Sequence, residues 1–323
     1  MLKKLYHVLL GLMIGFIFLL TSVCTAKAEV GITGANFLKY GLGVRPEALG
    51  GAFSAISDDV NSINFNPSGL TQIKDIEASF IYFLSFGDVG TNIVKLALPV
   101  SEDKTIGISL YIRDVPEIRN VETEPPVKAR DSYFSFGYAQ ELLGFKNLSF
   151  GISGKYIYSS LAEIEASTYA FDAGLLYSLD LTAPLLPSQK KYLKIALVMQ
   201  NLGPGIKFLE VEDPLPLNFK LGLAFNNYIN PCLEYIIASD IDAPYKDTLK
   251  FHTGIEFILN RMFSFRIGYE YGRSGQEWGR ITTGAGITWN SLGLKWQVNY
   301  AYSMFHYLNS VHGLDICAGF PLQ

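Results

Sequence analysis

The 323-residue sequence is poor in cysteine and, after its first 28 residues, lacks long apolar runs. Of three cysteines, Cys232 and Cys317 lie beyond that point, far apart and without a CxxC or histidine-rich neighbourhood. This spacing argues against a zinc site or a disulfide framework, and we expect two lone strand residues. No later stretch approaches the ~20 apolar residues of a transmembrane helix.

Catalytic and ligand-binding motifs are also missing. The glycine-rich stretch 41–70 lacks the Lys-Ser/Thr pair of a phosphate loop, and Asp58 and Asp59 lack the alternating oxygen ligands and closing glutamate of a calcium loop. His252 has no carboxylate or cysteine spaced to join it, which favours a packed or hydrated histidine over a metal ligand. The sequence therefore predicts no enzyme, no metal and no cofactor.

The N-terminus has the pattern of a secretory signal peptide. Lys3 and Lys4 precede an apolar core, and Ala26-Lys27-Ala28 forms an A-x-A cleavage site. Cleavage after residue 28 would leave 23 of the 26 basic residues against 30 acidic ones, a net charge near −7. Because nucleic-acid binding needs a basic stripe, this charge argues against a nucleic-acid partner.

Apolar and aromatic residues are abundant, and they alternate with polar ones. Aromatics make up 14% of the chain, and the mean hydropathy is +0.21. In 263–271 the residues Phe, Phe, Ile, Tyr and Tyr alternate with Ser, Arg, Gly and Glu. This period of two indicates a two-faced strand. A soluble sandwich would give the same alternation, but large aromatic faces in strand after strand favour a barrel with its apolar side in lipid.

Fourteen such segments follow the first 72 residues. We predict strands near 76–84, 90–98, 104–113, 131–140, 146–158, 166–179, 191–202, 216–226, 231–240, 249–258, 262–271, 279–288, 293–303 and 309–320. Each is close to the ~9–11 residues that a tilted strand needs to cross a bilayer, and the number is even, as in bacterial barrels. The predicted fold class is all-β, a 14-stranded antiparallel transmembrane β-barrel with an N-terminal plug segment.

This fold sets the expected domains, location and partners. Residues 1–28 are the cleaved signal peptide, 29–72 the plug within the lumen, and 73–323 the barrel of a bacterial outer-membrane protein. The expected partners are outer-membrane lipid and the barrel-assembly machinery. The polar strand faces place six charged or titratable groups in the lumen: Lys250, His252, Glu256, Arg266, Glu270 and Lys295. We interpret them mainly as mutual charge pairs, and alternatively as a polar path or docking site for the plug.

The stretch 41–70 carries a dense motif. It contains Gly43, Arg45, Leu49, Gly50, Gly51, Ala52, Phe53, Ser54, Ala55, Ile56, Asp58, Asp59, Asn66, Pro67, Ser68, Gly69 and Leu70. This pattern resembles the start of the mature PorV/PorQ family within the FadL-like outer-membrane proteins, and Asn-Leu-Gly at 201–203 with Pro-Leu-Pro at 214–216 adds a second match. We expect the two glycines at 50 and 51 to permit close approach to the wall, both aspartates to pair with lumen cations, and the asparagine at 66 to satisfy backbone groups.

The resemblance implies two functions. The first is a component of type IX-like protein secretion or surface attachment, with secreted proteins as partners. The alternative is a FadL-like transporter of hydrophobic small molecules such as long-chain fatty acids. Secretion predicts docking on the loops 114–130 and 203–215, with Phe208, Leu209, Leu215 and Leu217 as weak apolar hints. Transport predicts a lateral opening with a kink or bulge near a strand glycine, such as Gly107, Gly137 or Gly268.

Overall fold

The computed structural model describes residues 33–40, 42–118, 127–145, 147–182, 190–230, 232–272, 279–305 and 310–322. The signal peptide and parts of the loops 114–130 and 181–190 lie outside the described residues. Two short α-helices, α1 (Val44–Ala48) and α2 (Ser62–Phe65), precede the strands. Three 3-10 helices span Asn36–Lys39, Pro67–Gln72 and Phe86–Asp88. Within the described ranges, none of the helices is long and apolar enough to span a bilayer.

Sixteen strands follow in chain order. They are β1 (Ile76–Leu84), β2 (Gly90–Ser101), β3 (Lys104–Ile118), β4 (Val127–Glu141), β5 (Leu148–Leu161), β6 (Ile164–Asp180), β7 (Lys191–Leu202), β8 (Ile206–Lys207), β9 (Glu212–Asp213), β10 (Asn218–Asn230), β11 (Leu233–Pro244), β12 (Lys250–Leu259), β13 (Phe263–Tyr271), β14 (Arg280–Ser291), β15 (Leu294–Met304) and β16 (Val311–Phe320). All but β8 and β9 belong to the barrel, and those two pair with each other.

Fourteen antiparallel strands form one closed barrel, which confirms the predicted fold class. Each strand pairs with its neighbours in sequence, except that β7 pairs with β10 across β8 and β9. The barrel closes between β1 and β16, where Ile76 lies opposite Phe320. Closure leaves no unpaired strand edge, which a sheet surrounded by lipid requires. We call the end of the barrel where β1 finishes and β2 begins the mouth.

The alternation of apolar and polar residues in the sequence corresponds to the alternation of exposed and buried side chains in the strands. Along β13, Phe263, Phe265, Ile267, Tyr269 and Tyr271 are exposed on the outside, whereas the four residues between them are buried. Because successive side chains of a strand point to opposite faces, one face meets lipid and the other the interior. The predicted strands agree with the observed ones at β1 and β7, but β4 begins four residues earlier than predicted, at Val127.

The residues from 42 to 72, which we call the N-terminal segment, pack against inward-facing strand residues. Leu49, Phe53, Ile63 and Leu70 are fully buried. One apolar cluster joins this segment to β6, β7, β10 and β11, and another joins it to β2 and β4. The apolar core beneath the mouth is therefore shared between the segment and the wall.

Three strand glycines have a different role from the predicted one. The pairing of Gly107, Gly137 and Gly268 with neighbouring strands is regular, so none marks a bulge. A Cβ added at Gly268 would lie 2.1 Å from the backbone N of Gly50, and one at Gly107 would lie 2.9 Å from Leu70. These glycines make room for the N-terminal segment. The two cysteines are free, but only Cys317 lies in a strand, whereas Cys232 lies in the turn between β10 and β11.

Candidate functional site

Arg45 on α1 is the centre of a buried ionic network. Its Nη2 donates to Oε2 of Glu256 on β12 at 2.7 Å, and its Nη1 contacts Asp58 at 2.6 Å and Asp59 at 2.9 Å. Burial disfavours the charged guanidinium, but the three carboxylates outweigh burial and raise the pKa of Arg45 well above its usual value. Both aspartates thus pair with a cation of their own segment rather than with one from the wall.

The network continues along the barrel wall. Oε1 of Glu256 accepts from Nε of Arg266 on β13 at 2.6 Å, and Nη1 of Arg266 donates to Asn299 on β15 at 2.9 Å. The Asn299 amide then donates to Asp315 on β16 at 3.1 Å. Charge-assisted bonds of this kind are stronger and more directional than neutral ones. A polar chain therefore runs from the N-terminal segment to β12 and β13 and, past β14, to β15 and β16.

Lys95 on β2 holds the segment from another side. The residue is fully buried, and its Nζ donates to Oδ1 of Asn61 at 2.8 Å and to the backbone carbonyl of Leu42. The predicted sites did not include Lys95. A lysine at an inward position of an otherwise apolar strand was the signal that could have found it.

Gly50 and Gly51 allow the segment to touch the wall. Both have positive φ, +67° and +89°, and a Cβ at Gly50 would lie 2.6 Å from the backbone N of Tyr269. Nδ1 of His252 donates to the Gly50 carbonyl at 2.7 Å, and its Nε2 lies 3.5 Å from Asp242. The expectation that no carboxylate joins His252 was therefore wrong, because the antiparallel pairing of β11 and β12 brings Asp242 to it.

The other end of the motif is fixed by Asn66 and Pro67. The Asn66 amide donates to the Ser54 carbonyl at 2.9 Å, and its Oδ1 accepts from the backbone N–H of Ser68 at 3.2 Å. Asn66 thus caps the 3-10 helix that follows it. Pro67 lies against Gly151 on β5, where a Cβ would lie 2.3 Å from the carbonyl carbon of Pro67.

The remaining predicted residues are spread over both ends of the barrel. Gly43 precedes α1, and a Cβ there would lie 2.4 Å from Asn61 Oδ1. Glu270 pairs with Arg280 at 2.5 Å near the mouth. Lys250 lies near Glu270, with its Nζ 5.9 Å from the centre of the Tyr40 ring. Lys295 is exposed near the opposite end, so the structure does not bring it to the others.

A cavity of about 370 Å³ occupies the mouth. Its lining is divided between two sectors of the wall. The strands from β10 to β14 contribute most of the charged and titratable groups, namely Lys220, Asp242, Lys250, His252, Glu270 and Arg280. The strands β1, β3, β16 and adjoining turns contribute mainly apolar and aromatic residues, Phe83, Phe86, Tyr111, Phe305 and Val311, together with the cation Arg113 on β3. Tyr111 stacks on Tyr133 with ring centres 4.9 Å apart, which fixes the aromatic side. The mouth cavity is therefore amphipathic.

Beside the mouth cavity, the pairing of β6 with β7 contains a register shift, which we call the β6–β7 interruption although the two strands are paired on both sides of it. The register shifts between Phe171 and Ala173, which lie opposite Leu202 and Met199. Asn201 has φ +61° there, and its backbone N–H donates to the side-chain Oδ1 of Asp172 at 2.8 Å rather than to a backbone carbonyl of the neighbouring strand. Asp172 also pairs with Lys155 at 2.7 Å, and both side chains are almost fully buried. The bulge predicted near a strand glycine thus has its counterpart beside the mouth cavity at Asn201, and further register shifts occur between β2 and β3, β3 and β4, and β10 and β11.

Asn201 lines two cavities. One is the mouth cavity, and the other is a second cavity of about 300 Å³ bounded by the turn after β7 and by Leu217 and Tyr245. Leu215, predicted as an exposed docking residue, is instead 3% exposed and packs in the core with Phe37. The segment 203–217 therefore folds over the barrel at the interruption.

No metal-binding cluster of three or more His, Cys, Asp or Glu side chains is found among the described residues. The absence of an enzymatic activity and of a cofactor stays a prediction. The fold is a closed barrel of fourteen strands with an apolar outer face. It is therefore that of a β-barrel of the bacterial outer membrane.

Solved structures of similar fold include two monoaromatic hydrocarbon channels and a toluene transporter. The chain superposes on the CymD monoaromatic hydrocarbon channel with a TM-score of 0.60 at 12% identity, covering 88% of this chain and 98% of that one. It superposes on the Ralstonia pickettii toluene transporter TbuX with a TM-score of 0.59 at 12% identity, covering 88% and 99%. The TodX monoaromatic hydrocarbon channel, as a deletion mutant, gives 0.56 at 10% identity, covering 87% and 99%. No protein-family model and no curated protein matches the sequence.

Proposed function

We propose that the protein carries small, largely apolar molecules across the outer membrane. The observation that carries the proposal is that Asn201, at the β6–β7 interruption, lines both the mouth cavity and the second cavity. The N-terminal segment, acting as a plug, fills the interior below, so a straight path along the barrel axis is blocked. A ligand entering at the mouth would leave sideways, past Asn201, into the lipid.

The proteins of similar fold support the same function. They are channels for monoaromatic hydrocarbons and a transporter of toluene. They favour the transport alternative over the secretion component that the PorV/PorQ resemblance placed first. On the segment 203–217, Leu209 and Val211 are strongly exposed, whereas Leu215 is buried. On this segment the exposed apolar surface available to a secreted partner is therefore limited to a few side chains.

Toluene uptake tests the proposal. The protein would be produced in bacteria whose outer membrane otherwise excludes toluene, and uptake of the radiolabelled solute would be measured. Val311 lines the mouth cavity on the inner side of β16, so Val311→Trp should fill the cavity and reduce uptake to the background of cells without the barrel. Val94→Trp is the matched control because Val94 is 50% exposed on the outer face. Equal uptake by the Val311→Trp and Val94→Trp variants, at the same barrel abundance, would refute the proposal.

A further inference from the structure

Lys250 differs from the neighbouring cations of the mouth cavity. Lys220 pairs with Asp242 at 2.9 Å, and Arg280 pairs with Glu270 at 2.5 Å. Lys250 is 7% exposed, and within the described part of the chain it forms no ion pair. Asp242, which lies opposite it in register, is engaged by Lys220 and faces His252. Lys250 thus contributes a buried positive charge to the cavity wall.

Nearby polar atoms also lack partners. Oδ1 of Asn218, an acceptor that water can satisfy but a carboxylate cannot, has no hydrogen-bond partner among the described residues, and Nε2 of His252 has only the Asp242 carboxylate at 3.5 Å; both residues line the same cavity. A buried charge or polar group without a partner is unfavourable unless water or a ligand satisfies it. The carboxylates of the cavity, by contrast, already have cations: Asp242 pairs with Lys220, and Glu47 and Glu270 both pair with Arg280.

The shape of the cavity limits the rest of the ligand. Phe83 and Tyr111 form an aromatic side of the cavity, whereas the Phe305 ring lies beside Arg280, with the guanidinium carbon 5.2 Å from the ring centre. Below the cavity, Val44, Ala48 and Leu49 are fully buried and leave no room for a long chain to extend downward. The ligand body should therefore be compact and flat, with one polar end.

We propose that the mouth cavity selects a small aromatic carboxylate, with the carboxylate at Lys250 and the ring against the Phe83 and Tyr111 side. The inference rests on the proposed function, since it treats this cavity as the entrance, and it narrows the ligand from small, largely apolar molecules in general to a compact aromatic anion. The positive charge would favour the anion, and the aromatic side would bury its ring.

Three nearly isosteric probes test the charge preference. Isothermal titration calorimetry on the full barrel in detergent would compare phenylacetate, 2-phenylethanol and phenethylammonium. We expect phenylacetate to bind about tenfold more tightly than 2-phenylethanol, as for one net charge-assisted hydrogen bond, and phenethylammonium to bind most weakly. Lys250→Met keeps the side-chain length and should abolish the preference. Lys295→Met, at the exposed opposite end, should retain it.

Equal affinities of the three probes for the wild type, or an anion preference that survives in Lys250→Met, would overturn the inference. Toluene uptake distinguishes this failure from failure of the proposed function. If Val311→Trp still reduces toluene uptake, the transport function stands and only the anion selectivity is lost. If neither toluene uptake nor binding of any probe responds to Val311→Trp, both ideas fail.

Discussion

Arg45 and Glu256 are joined across the inside of the barrel, with Nη2 of the arginine 2.7 Å from Oε2 of the glutamate. The arginine belongs to the N-terminal segment, and the glutamate belongs to β12. This buried ion pair ties the segment to the wall. Its removal tests how far the segment contributes to the stability of the barrel.

Arg45→Met should destabilise the folded barrel by about 3–5 kcal/mol, because Asp58, Asp59 and Glu256 lose the cation that compensates them. Urea unfolding in lipid vesicles, followed by tryptophan fluorescence, measures the change. Arg130→Met is the control: Arg130 pairs with Asp114, both are about half exposed, and the loss should be at most about 1 kcal/mol. Similar losses for the two variants would contradict a structural role of the Arg45 network.

Gly50→Ala should prevent efficient folding. The added Cβ would lie 2.6 Å from the backbone N of Tyr269, and φ is +67°. Gly87→Ala separates the two causes, because φ is +69° at Gly87 but no described atom lies within 4 Å of the added Cβ, so only the backbone strain of about 1–2 kcal/mol applies. The folded fraction is read from heat-dependent mobility in gel electrophoresis. Normal folding of Gly50→Ala would show that segment and wall can separate at this position.

Asp172→Ala should loosen the β6–β7 interruption. The Asn201 N–H loses its acceptor, so the free energy of local opening should fall by about 1–3 kcal/mol. Hydrogen–deuterium exchange at Asn201 and Leu202 measures this opening. Asp180→Ala is the control. It removes an exposed carboxylate at the other end of β6, which accepts a hydrogen bond from the Thr182 N–H, and exchange at Asn201 should not change. Unchanged exchange in Asp172→Ala would mean that Asp172 does not hold the interruption.

Leu217→Trp should obstruct the side route without altering the mouth. Leu217 lines the second cavity but not the mouth cavity, so we expect lower toluene uptake together with unchanged phenylacetate binding. Leu223→Trp, on the outer face of β10, is the matched control and should behave as wild type in both assays. Uptake at the wild-type rate in Leu217→Trp would exclude the second cavity as an exit.

The sequence by itself determined the barrel. Strict alternation, as in Phe263–Tyr271, decides which side chains meet lipid, and a period of two leaves no freedom in that assignment. The motif from Gly43 to Leu70 also indicated the places where the segment and wall touch, because positive φ and close backbone approach require glycine at Gly50 and Gly51.

The tertiary structure decided the partners. Arg45 meets Glu256, and His252 meets Asp242, only because strand register and barrel closure bring distant residues together. The interruption at Asn201 depends on a register shift that no single strand pattern encodes, and its backbone is satisfied by Asp172 from the neighbouring strand. The sequence pattern predicted that Lys250 would be a member of a charge pair. Its lack of an ion pair in the described structure follows from Asp242 being held by Lys220, a competition that exists only once three strands are side by side.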